Sequence, residues 1–228
     1  NTVYGEIDYN PENGRMAGGV DANHTTNKYL GPTVARDLNR YYQSAGFNVG
    51  YKIQPKTKHY VSYPRGITHY TVHRQLPDQD KNSKSHDFGF GASGVIAPKV
   101  TGQVEAGMTY RRYDESPIGA VTRETRNFTV ATNLVYKPTD RTDVILALSR
   151  DLQESISAGN RFYISNSAVL DVKHKLPRKF SAGINLAFGL DKYPDSQVAA
   201  SGATGSRRDD IYQGGAWVTY DIQAWLTT

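Results

Sequence analysis

The fold is decided by residues 180–191, which read FSAGINLAFGLD. From Phe180 to Leu190 every second residue is apolar, and the residues between them are small or polar. Successive side chains of a β-strand point to opposite sides, so this alternation predicts a strand with one apolar and one polar face. Such a strand lies between an apolar environment and water.

The same alternation recurs along the chain. Its clearest copies lie at residues 44–53, 103–111, 127–136, 164–173 and 215–222, and weaker ones lie at 86–96 and 143–151. Pro64 and Gly66 interrupt segment 57–73, where we expect a β-bulge. The pattern gives about eleven strands and the start of another, so we expect residues 1–228 to form a single all-β domain.

Two kinds of connection alternate between these segments. Short connections that contain proline lie at 10–14, 54–57, 97–99, 137–140 and 176–179, and longer polar stretches lie at 24–39, 74–85, 112–126, 152–160 and 192–209. Proline presets φ for a tight turn and is excluded from central strands. Short turns at one end and long loops at the other are typical of an antiparallel, up-and-down transmembrane β-barrel. A soluble β-sandwich would have shorter strands and no such asymmetry.

Composition excludes several classes of protein. The 228 residues include no cysteine, which excludes disulfides, thiolate zinc sites and a cysteine nucleophile. No apolar run approaches the ~18–20 residues of a transmembrane helix. The net charge of +5 comes from scattered Lys and Arg, so no nucleic-acid partner is predicted. The chain starts at Asn1 and stops in what resembles the beginning of a strand, so we expect an incomplete part of a larger barrel, truncated at both ends.

The charged residues of the polar faces are the candidate functional residues. In a barrel they would line the lumen and select solutes by charge: Lys52, Glu105, Arg111, Asp151, Asp171, Lys173, Asp191 and Asp221. The alternative is local pairing, for example of Asp171 with Lys173. His69 and His73 would lie ~13 Å apart on a strand, too far to share a metal ion. No catalytic residue, metal site or cofactor is predicted.

Tyrosines cluster near the ends of the alternating segments: Tyr51, Tyr63, Tyr70, Tyr110, Tyr113, Tyr136, Tyr163, Tyr193 and Tyr220. Tyrosine favours the membrane–water interface, where its ring is in apolar surroundings and its hydroxyl is hydrated. This distribution is therefore consistent with an aromatic belt. Tyrosine is also a good strand former, which would give the same clustering without a membrane.

Several short motifs carry a resemblance to a known family. They lie at residues 136–142 (YKPTDRT), 144–151 (VILALSRD), 170–176 (LDVKHKL), 191–194 (DKYP), 207–210 (RRDD) and 218–226 (VTYDIQAWL). Residues 86–228, and more loosely 40–73, resemble bacterial outer-membrane β-barrel porins linked to exopolysaccharide or capsule gene clusters. The resemblance implies a bacterial outer-membrane location, lipid contact, passage of a polysaccharide and periplasmic secretion components as partners.

Two functions remain open from the sequence. The first is an outer-membrane channel that acts as a passive conduit for exopolysaccharide, with no enzymatic activity. The second is a soluble β-rich carbohydrate-binding or surface adhesion module, whose Tyr and Trp side chains would stack on sugars. Solubility without detergent would favour the second function and exclude the barrel.

Overall fold

One antiparallel sheet contains all the regular structure of the described chain. The computed structural model describes residues 1–29, 39–71, 82–114, 123–155, 161–193, 206–223 and 226–227. Their strands are β1 (Thr2–Tyr9), β2 (Met16–Asn27), β3 (Arg40–Gln54), β4 (Thr57–Tyr70), β5 (Ser83–Ala97), β6 (Val100–Tyr113), β7 (Glu124–Thr139), β8 (Thr142–Glu154), β9 (Phe162–Lys175), β10 (Phe180–Tyr193), β11 (Arg207–Gln223) and β12 (Leu226–Thr227). Within these residues no helix has the length and apolarity to cross a membrane.

The strands follow one another in the sheet in the order of the sequence. The predicted all-β, up-and-down antiparallel meander is therefore confirmed. Among the described residues β1 and β12 each pair with a single neighbour, so the sheet is open along two edges. The short-turn end carries the connections at 10–15, 55–56, 98–99, 140–141 and 176–179. At the opposite, long-connection end β2 is followed by β3, β4 by β5, β6 by β7, β8 by β9 and β10 by β11.

Most strands are longer than the alternation indicates. β8 continues to Glu154 and β11 begins at Arg207, both inside stretches predicted as loops. Backbone pairing explains the difference, because β8 pairs with β9 up to Glu154 and β10 with β11 from Arg207. A ladder of backbone hydrogen bonds can extend beyond the apolar band, where alternation is no longer needed.

The expected bulge at Pro64 is wrong. The register of β4 with β5 is the same on both sides of Pro64, from Ser62 opposite Gly89 to Arg65 opposite His86. On its other side Pro64 lies opposite Gly46, where a Cβ would come 3.1 Å from the proline Cα. The absence of a side chain on Gly46 gives the proline ring room, so β4 continues without a shift.

The sheet has two faces of opposite character. The apolar face carries exposed apolar side chains on most of the long strands, among them Phe90 at 62% and Val218 at 66% exposure. On β10 its band runs from Phe180 to Leu190, which is about 34 Å along the strand at ~3.4 Å per residue. A tilt of ~40–45° reduces this length to about 25 Å, the height of the lipid-facing band of a barrel.

The polar face is concave, since its side chains meet across strands that are not neighbours. Tyr60 of β4 contacts Glu105 of β6, and the Lys173 ammonium of β9 lies 5.8 Å from the ring centroid of Trp217 of β11. The register divides the predicted tyrosine belt between the two faces. Five of its members lie on the apolar face, namely Tyr51, Tyr63, Tyr110, Tyr136 and Tyr220. Tyr70, Tyr113, Tyr163 and Tyr193 lie on the polar face.

Candidate functional site

The register brings the eight predicted residues to the polar face. Lys52 pairs with Lys58, Glu105 lies opposite Gly91, and Arg111 lies opposite Ser85. The other five follow the same alternation on β8, β9, β10 and β11, at Asp151, Asp171, Lys173, Asp191 and Asp221. They are spread over six strands and form no single cluster.

Charge is distributed unevenly along the polar face. Asp21, Asp87, Glu105 and Asp171 each lie at least four residues from both ends of their strands. In the described strands every Lys and Arg of this face lies within two residues of a strand end: Arg40, Lys52, Lys58, Arg111, Lys137, Lys173, Lys175 and Arg207. The charges near the middle of this face are therefore acidic, and cations are confined to its two rims.

One hydrogen-bond network crosses the middle of the polar face. Gln103 Nε2 donates to Tyr60 Oη at 2.6 Å, and that hydroxyl donates to Glu105 Oε2 at 2.7 Å. Ser62 Oγ donates to the other carboxylate oxygen at 3.1 Å. The tyrosine crosses β5 above Gly91, where a Cβ would lie 2.5 Å from its Cζ. Glycine at this position is therefore required for β4 and β6 to be joined.

Asp171 and Lys173, which the sequence offers as a local ion pair, each contact another residue instead. The Asp171 carboxylate accepts a hydrogen bond from Asn185 Nδ2 at 2.6 Å. The Lys173 ammonium lies 5.8 Å from the centroid of the Trp217 ring. Both contacts join the β9–β10–β11 part of the polar face, near its short-turn end.

The end of the β8–β9 hairpin leaves the plane of the sheet. β7 and β8 pair as far as Val130 and Arg150. Beyond these two residues, toward the long-connection end, the described parts of the two strands do not pair with each other. The Arg150 guanidinium fills the gap, with Nε donating to the Phe128 carbonyl at 3.1 Å and Nη2 to Asn127 Oδ1 at 3.3 Å. β8 still pairs with β9 beyond Arg150, so the tip of this hairpin can leave the sheet as a unit.

That tip lies over the polar face of β6. By alternation Leu152 and Glu154 belong to the apolar face with Leu148, yet Leu152 packs in a buried cluster with Tyr113 and Phe162. Glu154 Oε1 lies 2.8 Å from Arg111 Nη1, and both side chains are nearly buried, at 11% and 12% exposure. The hairpin tip therefore covers part of the long-connection end of the concave face.

Other polar groups complete this cluster. Arg40 Nη1 donates to Tyr70 Oη at 2.9 Å, and that hydroxyl approaches Glu154 Oε2 at 3.5 Å. The Arg161 guanidinium carbon lies 5.0 Å from the centroid of the Tyr113 ring. The Glu154 carboxylate thus joins β8 to groups on β4 and β6. The cluster contains more arginines than carboxylates.

Sequence reasoning found Arg111 but missed Glu154. The sequence predicts a loop at Glu154, because the apolar alternation of β8 ends near Arg150. The sequence does contain a signal. If β8 continues past Arg150, alternation puts the Glu154 carboxylate among lipid-facing residues, where a carboxylate needs a buried partner. No metal site is apparent, since the described residues contain no group of three or more His, Asp and Glu able to hold an ion.

Comparison with known proteins identifies the family. The sequence profile described as "Putative beta-barrel porin 2" matches residues 9–227. The chain belongs to this porin family. No curated protein matches the sequence of this porin. Family membership and the exposed apolar face together favour the membrane channel over the soluble module.

Solved structures show the same fold for the porin. It is similar to the copper transporter OprC, with a TM-score of 0.51 and 12% identity over 92% of the porin and 39% of OprC. It is also similar to the closed form of the ferric-catecholate import receptor Fiu from E. coli K12, with a TM-score of 0.52 and 10% identity. That match covers 98% of the porin and 45% of Fiu, so the porin chain spans less than half of either structure.

Proposed function

We propose that this porin forms a passive channel in the outer membrane of a Gram-negative bacterium and conducts exopolysaccharide outward. The observation that carries the proposal is the combination of an exposed apolar face with a concave, largely polar one. The apolar face contacts lipid, and the polar face contacts water. The two open edges need strand partners in lipid, because unpaired backbone groups cost several kcal/mol each there.

Transport requires no chemistry from the chain. The polar face offers hydroxyl, amide and carboxylate groups, such as Ser62, Gln103 and Glu105, that replace the hydrogen bonds of a hydrated sugar. Aromatic rings on the same face, such as that of Trp217 at 37% exposure, offer surfaces for sugar rings. The driving force comes from elsewhere, which suits periplasmic secretion components as partners.

Charge determines which polymers pass most easily. Because the charges near the middle of the polar face are acidic, a polyanion meets repulsion there while neutral chains and small cations do not. Asp21, Asp87, Glu105 and Asp171 are the residues that carry this preference. The residues proposed to line the channel also include Lys52, Arg111, Asp151, Lys173, Asp191 and Asp221, which lie nearer its two rims.

The first test is membrane insertion and conductance of the full-length porin. A closed barrel satisfies its backbone hydrogen bonds internally, so its band in SDS gels shifts on boiling. In a planar bilayer the porin gives stepwise current that favours cations over anions. A protein that is soluble in plain buffer and shows neither shift nor current would contradict the channel.

A second test separates polymer transport from simple ion conduction. A neutral glucan added to the conducting bilayer produces brief interruptions of current as chains enter the channel. A sulfated glucan of the same length, which carries the same sugar backbone, produces far fewer. Current without interruptions by either polymer would leave a channel for small solutes and contradict the role in polysaccharide passage.

A further inference from the structure

The apolar face carries a group of cations that the channel does not use. Arg65, Lys84, Arg112 and Arg126, here called the outer cationic cluster, are exposed and lie on four adjacent strands, β4 to β7. The register places them in two neighbouring rows, with Arg65, His86, Tyr110 and Arg126 in the first and Ile67, Lys84, Arg112 and Glu124 in the second. The rows span about 14 Å across the strands and about 7 Å along them.

The cluster has more positive charge than its acidic neighbours neutralise. Lys84 lies 3.6 Å from Asp114 and Arg112 lies 3.9 Å from Glu124, in exposed pairs. The Arg126 guanidinium carbon lies 5.7 Å from the centroid of the Tyr110 ring. Among the described residues Arg65 has no carboxylate within ion-pair distance. The surface is therefore open to anions.

An apolar row lies directly beside the cluster on the same face. Tyr63 and Phe88 have ring centroids 4.8 Å apart, and Met108 lies opposite both Phe88 and Phe128. A soluble anion would gain nothing from this row. A molecule with an anionic head and apolar tails would contact both surfaces at once.

The cations are confined to one end of the apolar face. In the described strands every Lys and Arg of this face lies toward the long-connection end. Lys192 of β10 and Arg208 of β11 lie opposite each other there. At the short-turn end the same face carries Tyr51, Tyr136 and Phe180 instead. The two lipid–water boundaries therefore differ in charge.

We infer that the outer cationic cluster binds the phosphate groups of an anionic lipid in the membrane leaflet at the long-connection end. This inference rests on the proposed placement of the porin in a membrane. Its support is complementary charge beside an apolar row, at the height where the lipid-facing band ends. Lipid phosphates at that height interact with the guanidinium and ammonium groups, while acyl chains cover Tyr63, Phe88 and Phe128.

The test measures lipid binding to the full-length porin in uncharged maltoside micelles. The probes are bisphosphorylated lipid A and, as the lipid without net charge, phosphatidylcholine. We expect lipid A to bind the porin at least tenfold more tightly, with an affinity that falls as salt is raised. Replacing two cations in Arg65→Gln/Arg126→Gln lowers lipid A affinity by about 25-fold, or about fivefold per charge.

A matched control removes the same charge from the opposite end. Lys56→Gln/Arg141→Gln changes two exposed residues of the short turns and leaves lipid A affinity within about twofold of the parent. Equal losses in the two double variants would overturn the inference, because binding would then depend on net charge alone. Inorganic phosphate that displaces lipid A at equal concentration would show a site for free phosphate and would also overturn it.

The same samples separate this inference from the channel. A porin that shifts on boiling and conducts, but binds both lipids equally, retains its channel function and loses the lipid site. A porin that never enters a bilayer would overturn both. Folding of each variant is checked by the gel shift, so that a loss of lipid binding is attributed to the removed charge.

Discussion

The buried ion pair at the tip of the β8–β9 hairpin gives a quantitative prediction for Glu154→Gln. Arg111 and Glu154 are 12% and 11% exposed and 2.8 Å apart, so neutralising the carboxylate leaves a buried guanidinium uncompensated. Arg40 and Arg161 are in the same cluster, and their repulsion adds to the loss. Removing one partner of such a pair costs about 3–5 kcal/mol in free energy of unfolding, and we expect a loss near 3 because glutamine keeps a hydrogen bond.

The assay is urea unfolding of the porin in lipid vesicles, followed by tryptophan fluorescence and by the SDS gel shift. Glu124→Gln is the matched control, since its pair with Arg112 is 3.9 Å long and about half exposed, and should contribute under 1 kcal/mol. Replacing the whole pair, in Arg111→Met/Glu154→Leu, should recover most of the stability. Equal losses for the two glutamine variants would refute the argument that the hairpin tip is held by a buried charge pair.

Three further predictions concern the middle of the channel and a turn. Gly91→Val forces Tyr60 out of the space above β5 and should lower the unfolding free energy by about 1–3 kcal/mol. The control Gly215→Val has no atom within 4 Å of its Cβ position and should lower it by less than about 1 kcal/mol. Equal losses in the two variants would contradict the role of Gly91. Glu105→Gln keeps the volume and removes the charge, so bilayer reversal potentials should show weaker preference for cations, and an unchanged preference would place selectivity elsewhere. Lys99 has a φ of 63°, so Lys99→Gly should raise the unfolding free energy by about 0.5–1 kcal/mol, and a decrease in the urea midpoint would show that its side-chain contact matters more than backbone strain.

Local sequence was sufficient to predict the class of fold. In a strand the side-chain period is two, so residues such as Phe180, Ile184 and Leu190 had to share a face whatever the rest of the chain does. Proline-containing turns such as Pro98–Lys99 marked the short-turn end in the same way. The meander, the two faces and the polar placement of Lys52 or Asp171 follow from these local rules.

Only the tertiary structure placed the Glu154 cluster and joined Tyr60 to Glu105. Alternation assigns a face only while the strand stays in the sheet, and β8 leaves it beyond Arg150, where the guanidinium replaces backbone pairing. Likewise, a contact that crosses β5 depends on register and on the missing side chain of Gly91. Sequence thus determined what each strand presents to lipid and to water, because that depends on local geometry. Curvature and strand register decided which polar groups meet, because those contacts join residues distant in the chain.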